Sequence, residues 1–406
     1  MASGSRRNVA IFGITSLLND TASEMAYWIL PAFLLSIGAG AAKLGVIEGI
    51  AESVASFTKL FSGYFADRSA RRKPIIVFGY ALANVAKPIL AIATNWWQVL
   101  FIRFADRTSK GIRGAPRDVM LAESVEKEKI GAAFGLLQAM DSAGAILGPA
   151  IALLLLARVG MRGVFWAASV PGLLTIVVVA LGARETKHRA LKPDTTTAGG
   201  KLAAPLPSRF YYVLIAVTLF SLGNSSDMFL ILRAQSAGIA ARYAPLLGLV
   251  FNAVYTAVSW PAGKFSDRES KSAMAAAGYV IFAAVYLTFA AAPAKSALWI
   301  AMGGYGFYYA LTDPVLRALV AQTITPESRG RAFGIFFFVT SIATLLASVL
   351  TGQLWKYFGA RMPLTLSALL ALAAAAMLLF APGASESPTS NIDPASNMRR
   401  SEQKLS

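Results

Sequence analysis

The sequence predicts an all-α integral membrane protein, with twelve transmembrane helices in two pseudo-symmetric six-helix bundles. Three observations predict it. First, the 406-residue chain is 56% hydrophobic and only 15% charged, against roughly 25% charged residues in soluble globular proteins. A mean hydropathy of +0.56 fits a chain solvated mostly by lipid. Second, uncharged apolar runs recur along nearly the whole chain, among them 146–156, 164–181 and 364–380. A helix rising about 1.5 Å per residue needs about 20 residues to cross the hydrocarbon layer. One such run could be a buried helix of a soluble core; their recurrence excludes that. Third, short motifs of the first half return in the second.

The apolar segments divide into spans at 9–37, 44–66, 74–94, 96–121, 131–157, 163–182, 210–232, 243–266, 272–292, 296–321, 331–355 and 361–381. Helices are the default, because a segment in lipid must satisfy its own backbone hydrogen bonds. The weak alternation of a lipid-facing β-barrel is missing. Residues 1–182 therefore form an N-terminal six-helix bundle and 210–381 a C-terminal one. Residues 183–209, polar and rich in Lys, Thr, Gly and Pro, join them as a cytoplasmic linker. The tail, 382–406, is rich in Ser, Asn and Pro and reads as a disordered cytoplasmic segment.

The repeat is visible in three places. Gly63-Tyr-Phe-Ala-Asp67-Arg68 ends the second span and Gly263-Lys-Phe-Ser-Asp267-Arg268 the eighth. Ala133-Phe134-Gly135 opens the fifth and Ala332-Phe333-Gly334 the eleventh. Ser16-Leu-Leu-Asn19 has an echo in Ser221-Leu-Gly-Asn224. Duplicated halves place a substrate site near the midplane between them.

The net charge of +17 does not indicate nucleic acid, since much of it lies in short connections between spans. Lys and Arg crowd one set of connections, with Arg68, Arg71, Arg72, Lys73, Arg184 and Lys187 among them. The other set is sparse, with Lys43, Arg158 and Lys295 as examples. The positive-inside rule then puts both termini in the cytoplasm of a multi-pass protein of the inner membrane. No cleavable signal is evident: the first apolar segment carries Asp20 and Glu24. With no cysteine and one histidine, His188 in a polar loop, neither disulfides nor a metal site is expected. No GxxxxGK[ST] motif points to ATP. No nucleophile–base set points to an enzyme, and no cofactor is implied. The expected partners are lipid, a small solute and protons, for a monomer.

Gly63 to Arg72 (GYFADRSARR) resembles the GxxxDRxGRR loop of the major facilitator superfamily, with Ala70 in place of the second glycine. In that family the loop is a conformational latch. The resemblance assigns Gly63, Asp67, Arg68, Arg71 and Arg72 to it, with Asp267 and Arg268 as the weaker copy. Asp118, at the inner end of the fourth span, is a candidate partner for Arg71 or Arg72. The plain alternative is an ordinary positive-inside loop. Gly135, Gly144, Gly148 and Pro149 resemble the fifth-helix signature of the proton-coupled drug antiporter branch, although Ala152 and Leu153 stand where further glycines would follow. The alternative there is a generic packing helix. The resemblance spans most of the chain and implies that spans 1, 4, 7 and 10 line the cavity.

Ionisable residues inside spans are costly and face a cavity or a partner. The first half concentrates them: Asp20 and Glu24 on one face of span 1, Glu48 and Glu52 in span 2, Lys87 in span 3, and Arg103, Asp106, Arg107, Lys110, Arg113 and Arg117 in span 4. Asp141 lies in span 5 and Asp227 in span 7. Candidate pairs by depth are Asp141 with Arg107, and Asp20 or Glu24 with Arg107 or Lys110. Glu52 and Arg103 lie nearer the outside. The substrate and proton-coupling set is thus Asp20, Glu24, Glu52, Arg103, Asp106, Arg107, Lys110, Asp141 and Asp227, unless these are static bridges. The sequence thus reads as a secondary active transporter that moves a small solute by alternating access, as proton-coupled efflux (antiport); the alternatives are proton-coupled uptake of a small anionic metabolite and a transport-inactive membrane sensor or scaffold.

Overall fold

The computed structural model describes residues 3–68, 71–126, 129–186, 205–266, 270–324 and 329–380. Among the described residues every regular element is helical. The first span is split into α1 (Ser3–Tyr27) and α2 (Leu30–Ser36). Spans two to four are α3 (Ala41–Arg68), α4 (Lys73–Ile92) and α5 (Trp96–Glu123). A capping box opens α5: the Asn95 side chain accepts from the backbone of the first turn, and Gln98 returns to the Asn95 N–H at 3.1 Å. The element α6 (Ile130–Gly182) is two spans joined at Gly160, whose φ of 67° and ψ of 179° suit only a residue without Cβ. Its arms, 130–159 and 161–182, are spans five and six. The seventh span is again split, into α7 (Ser208–Gly223) and α8 (Met228–Ser236). Then follow α9 (Ala244–Ser266), α10 (Lys271–Ala291), α11 (Lys295–Gln322), α12 (Arg329–Phe358) and α13 (Arg361–Leu379). Twelve crossings result.

Two spans depart from expectation. Span 1 is interrupted at Trp28 and Ile29, and α2 restarts on Pro31, which lacks only an N–H that a first turn leaves unpaired. Span 7 is interrupted over Asn224–Asp227, a polar run whose side chains compete for the backbone. The breaks lie at matching places in the two halves, a pattern that marks binding sites in duplicated transporters. They also show that the Ser16/Ser221 echo is out of register with the other two. Residues 187–204 of the predicted linker and the tail beyond Phe380 lie outside the described residues, as do Asp267 and Arg268. The surroundings of Gly63 and the side chains of Asp67 and Arg68, on the last turns of α3, are likewise not described.

The glycines of the fifth span have a clear use. A Cβ on Gly144 would lie 2.6 Å from the Leu17 carbonyl oxygen. One on Gly148 would lie 2.7 Å from both the Thr21 oxygen and the Glu24 Cβ. They bring this arm of α6 onto α1 at the level of the carboxylates, with Pro149 buried just beyond. Gly135 has open space around it, so the packing role assigned to it from the pattern is corrected: that end of the helix touches nothing a side chain would displace. We expect Gly148→Leu to lower the unfolding midpoint in detergent, by an overpacking cost of about 1–3 kcal/mol, while Gly135→Ala leaves it unchanged. Equal midpoints would show that α1 yields freely.

The halves meet at the end remote from the chain termini. Gly45 and Gly49 of α3 press on Ser348 of α12, and a Cβ on Gly352 would meet the Ala41 oxygen at 2.6 Å. Leu30, Phe33 and Leu34 pack in one cluster with Met228, Phe229 and Leu232. Hydrogen bonds cross the seam as well: Ser53 Oγ donates to the Ser341 oxygen at 3.0 Å, and Asn252 Nδ2 to the Ala145 oxygen at 2.9 Å.

Candidate functional site

Beneath this seal lies a central cavity of about 300 Å³, lined by both breaks: Glu24, Tyr27 and Trp28 on one side, Asn224 to Asp227 on the other. Glu52, Lys87, Arg103, Asp106, Arg107 and Lys110 complete the wall of the first half. Phe251, Asn252 and Tyr309 complete that of the second.

The first-half wall is built by two helices that each carry two charges four residues apart, and so on one face. Glu48 and Glu52 on α3 meet Arg103 and Arg107 on α5 as two rungs. Arg103 holds Glu48 bidentately, Nε to Oε1 at 2.9 Å and Nη2 to Oε2 at 3.0 Å. Glu48 is fully buried. Arg107 Nη2 lies 2.8 Å from Glu52 Oε1. Asp106 flanks Arg103 at 3.6 Å, and both guanidiniums sit over the Tyr27 ring, at 5.4 and 5.9 Å. Such pairing is what lets charges persist at this depth. Glu48 also reaches the other half: Ser226 Oγ donates to its Oε2 at 3.2 Å, and the Ser226 N–H donates to Ser348 Oγ at 3.2 Å.

These rungs correct the pairings expected from depth. Arg107 takes Glu52, leaving neither Glu24 nor Asp141 as its partner, and Arg103 takes Glu48, one turn from Glu52. Glu24 instead accepts a hydrogen bond from Trp28 Nε1 at 2.7 Å. Asp227 accepts from the hydroxyls of Tyr305, at 2.6 Å, and Tyr309, at 3.3 Å. Among the described residues, Glu24, Asp227, Lys87 and Lys110 make no ion pair. Lys87 donates to Asn84 Oδ1 at 2.6 Å. Asp20 and Asp141 do not line the central cavity; they share a smaller one of about 190 Å³ with Gln138, Ser142 and Thr256. The cations in electrostatic reach of Asp141 are Arg117 and Lys110. Nothing here forms a metal centre: among the described residues no group of three His, Cys, Asp or Glu converges.

Comparison with known proteins decides the family. Residues 12–233 and 213–402 each match the model of the Major Facilitator Superfamily. The chain belongs to the Major Facilitator Superfamily. It is 31% identical over 382 residues to an uncharacterized MFS-type transporter of Methanocaldococcus jannaschii, covering 92% of this chain and 94% of that one. Multidrug resistance protein MdtG of Enterobacter lignolyticus is 25% identical over 351 residues, 81% of each chain. The crystal structure of a point mutant of the nucleoside transporter NupG superposes with a TM-score of 0.76 at 14% identity, over 92% of this chain and 99% of that one, a likeness of fold alone. The protein is a multi-pass membrane transporter and not an enzyme.

This facilitator's loop after α3 makes contacts different from those expected. Arg72 is buried and pairs with Glu123 Oε1, at the end of α5, at 2.7 Å. The Glu185 carboxylate accepts from the Arg72 and Lys73 N–H groups at 3.0 Å each, capping α4 where its dipole favours an anion. Asp118 bonds its neighbour Arg117 at 3.0 Å, because it lies more than a turn short of the helix end where Arg72 arrives. Arg71 is exposed. Arg113 does not snorkel to the interface: it is buried, stacked 4.6 Å from the Tyr80 ring and donating to Ser109 Oγ at 2.9 Å. Glu48 is named from sequence but left out of the site set; missed from sequence are Trp28 and Tyr309 in the cavity lining, Tyr305 behind them, and Glu123 and Glu185 at the loop. For Glu48 a signal existed, in the matching four-residue spacing on α3 and α5. For the tyrosines none did.

Proposed function

We propose that the protein is a proton-coupled antiporter that exports a small solute across the cytoplasmic membrane by alternating access. The observation that carries this reading is the state of Glu24. It lines the cavity at the break of span 1, hydrogen-bonds a neutral indole N–H, and makes no ion pair. It can therefore gain or lose a proton without breaking an ion pair, with Lys110 and Arg107 in its electrostatic reach. Protonating Glu52 would leave Arg107 without its ion pair in a low-dielectric wall, and protonating Glu48 would leave Arg103 only the longer contact with Asp106. Asp227 has the same freedom on the other half. The likeness to a multidrug resistance protein favours export, and the Lys and Arg excess supports both termini lying inside. Uptake of an anion would draw on Lys87 and Lys110, but the cavity's two unpaired carboxylates oppose a purely anionic guest.

The test is solute flux in proteoliposomes with an imposed pH gradient and a pH-sensitive dye inside. Solute leaving the compartment that faces the termini, with protons entering it, is the expected result. Solute and protons moving the same way would make the protein a symporter, and flux indifferent to the gradient would remove proton coupling.

A further inference from the structure

The reading above leaves the solute unnamed, and the cavity's unmet hydrogen-bonding groups are divided by sign. On the first-half wall, where Trp28 Nε1 holds the Glu24 carboxylate at 2.7 Å, the groups left without a partner are donors. Arg107 Nε is buried without a hydrogen-bond partner, and Lys110 lines the cavity without an ion pair among the described residues, with Glu24 and Glu52 only in its electrostatic reach. On the second-half wall the excess is of acceptors. Asn224 Oδ1 is buried without a partner, and Asp227, three residues on, is held only by tyrosine hydroxyls. None of the lining residues of the second half is a Lys or Arg. Between the walls stand Tyr27, Trp28 and Phe251, with the Trp28 and Phe251 rings 5.8 Å apart.

We propose that the transported solute is zwitterionic: a small molecule with an anionic group for Lys110 and Arg107, an ammonium for Asp227 and Asn224, and an apolar body over the aromatic rings. This rests on the central cavity being the transport site. An unsatisfied buried acceptor costs its full desolvation, so a guest bringing N–H donors to Asn224 and Asp227 gains what a neutral or anionic guest does not. Aromatic faces beside a carboxylate add attraction for an ammonium. The same bookkeeping with signs reversed holds at Lys110. A guest of one charge satisfies one wall and leaves the other bare.

The test uses matched probes on the full-length protein in detergent: 4-(aminomethyl)benzoate, the shorter and longer amino acids of that series, and aminomethylphenylphosphonate, each against its ester and its N-acetyl derivative. Binding is read by calorimetry and thermal shift. At least one zwitterion should bind about tenfold or more tightly than both derivatives, since each derivative forfeits one charged contact worth about 1.4 kcal/mol or more. Asp227→Asn should erase the preference over the N-acetyl form only, and Lys110→Gln the preference over the ester only. Binding of the cation or the anion as tight as the zwitterion, preferences untouched by either substitution, or no zwitterion bound at all would each overturn the proposal. Failure is separable from that of proton coupling. A singly charged solute driven by a pH gradient leaves coupling intact and sinks the zwitterion. A zwitterion carried without proton movement does the reverse.

Discussion

Glu24→Gln is expected to abolish accumulation driven by a pH gradient while leaving gradient-free exchange and solute binding within a few-fold of the parent. The amide keeps an acceptor for Trp28 Nε1, whose bond to the carboxylate is 2.7 Å, so the turn that ends α1 should hold. What is lost is the ability to take up and release a proton beside the guest. Because Glu24 makes no ion pair among the described residues, neutralising it breaks none, and the fold should change little. Glu52→Gln is the contrast. It removes the 2.8 Å partner of Arg107, and should depress thermal stability and transport together. The check is counterflow, pH-driven flux and unfolding midpoint on both variants. If Glu24→Gln retains full proton-driven accumulation, the carrier lies elsewhere, and Asp227 and Asp141 are the next to be changed.

How much of this was legible beforehand depends on the kind of information. Span number followed from apolar length, since lipid forces each crossing to close its own hydrogen bonds. The breaks at Trp28 and Asn224–Asp227 were not read, because a proline near a span's end and a short polar run do not alone tell a kink from a cavity-facing turn. The charged residues of the cavity were found by their cost in lipid, but their partners were misassigned. Depth along a helix fixes height and leaves rotation open, and rotation decided that Arg107 meets Glu52 and not Asp141. The four-residue spacings on α3 and α5 did carry rotational information, and reading them together yields both rungs. Tyr305 and Tyr309 were invisible because nothing in a tyrosine-rich span says which hydroxyl finds a carboxylate three spans away. At the loop, Glu123 sits at the helix end that Arg72 reaches, more than a turn beyond Asp118.

The second large effect is expected at the upper rung. Glu48 is fully buried and takes three hydrogen bonds, two from Arg103 and one from Ser226 across the seam. Arg103→Met alone leaves a buried carboxylate without its cation, and should cost about 3–5 kcal/mol, enough to lower the unfolding midpoint sharply and reduce the yield of folded protein. Adding Glu48→Leu removes both charges, and stability should return to near the parent value. Ser226→Ala separates the fold from the seal. It leaves the rung intact and removes one hydrogen bond to a charged group, worth about 1.5–3 kcal/mol, from the end where the halves meet, along with the long 3.4 Å bond from the Met228 N–H. Its effect should therefore fall on the balance between states and not on the midpoint. The chain contains no cysteine, so cysteines at Lys43 and Lys356, which line one pocket at the rim of the seal, report that balance by spin-label distance. Ser226→Ala should shift the distribution towards longer separations and raise access of membrane-impermeant reagents to the cavity from that side. A distribution unchanged from the parent would mean that Gly45, Gly49 and Gly352 hold the seal by close packing alone, with Ser226 only filling the hydrogen-bond capacity of Glu48.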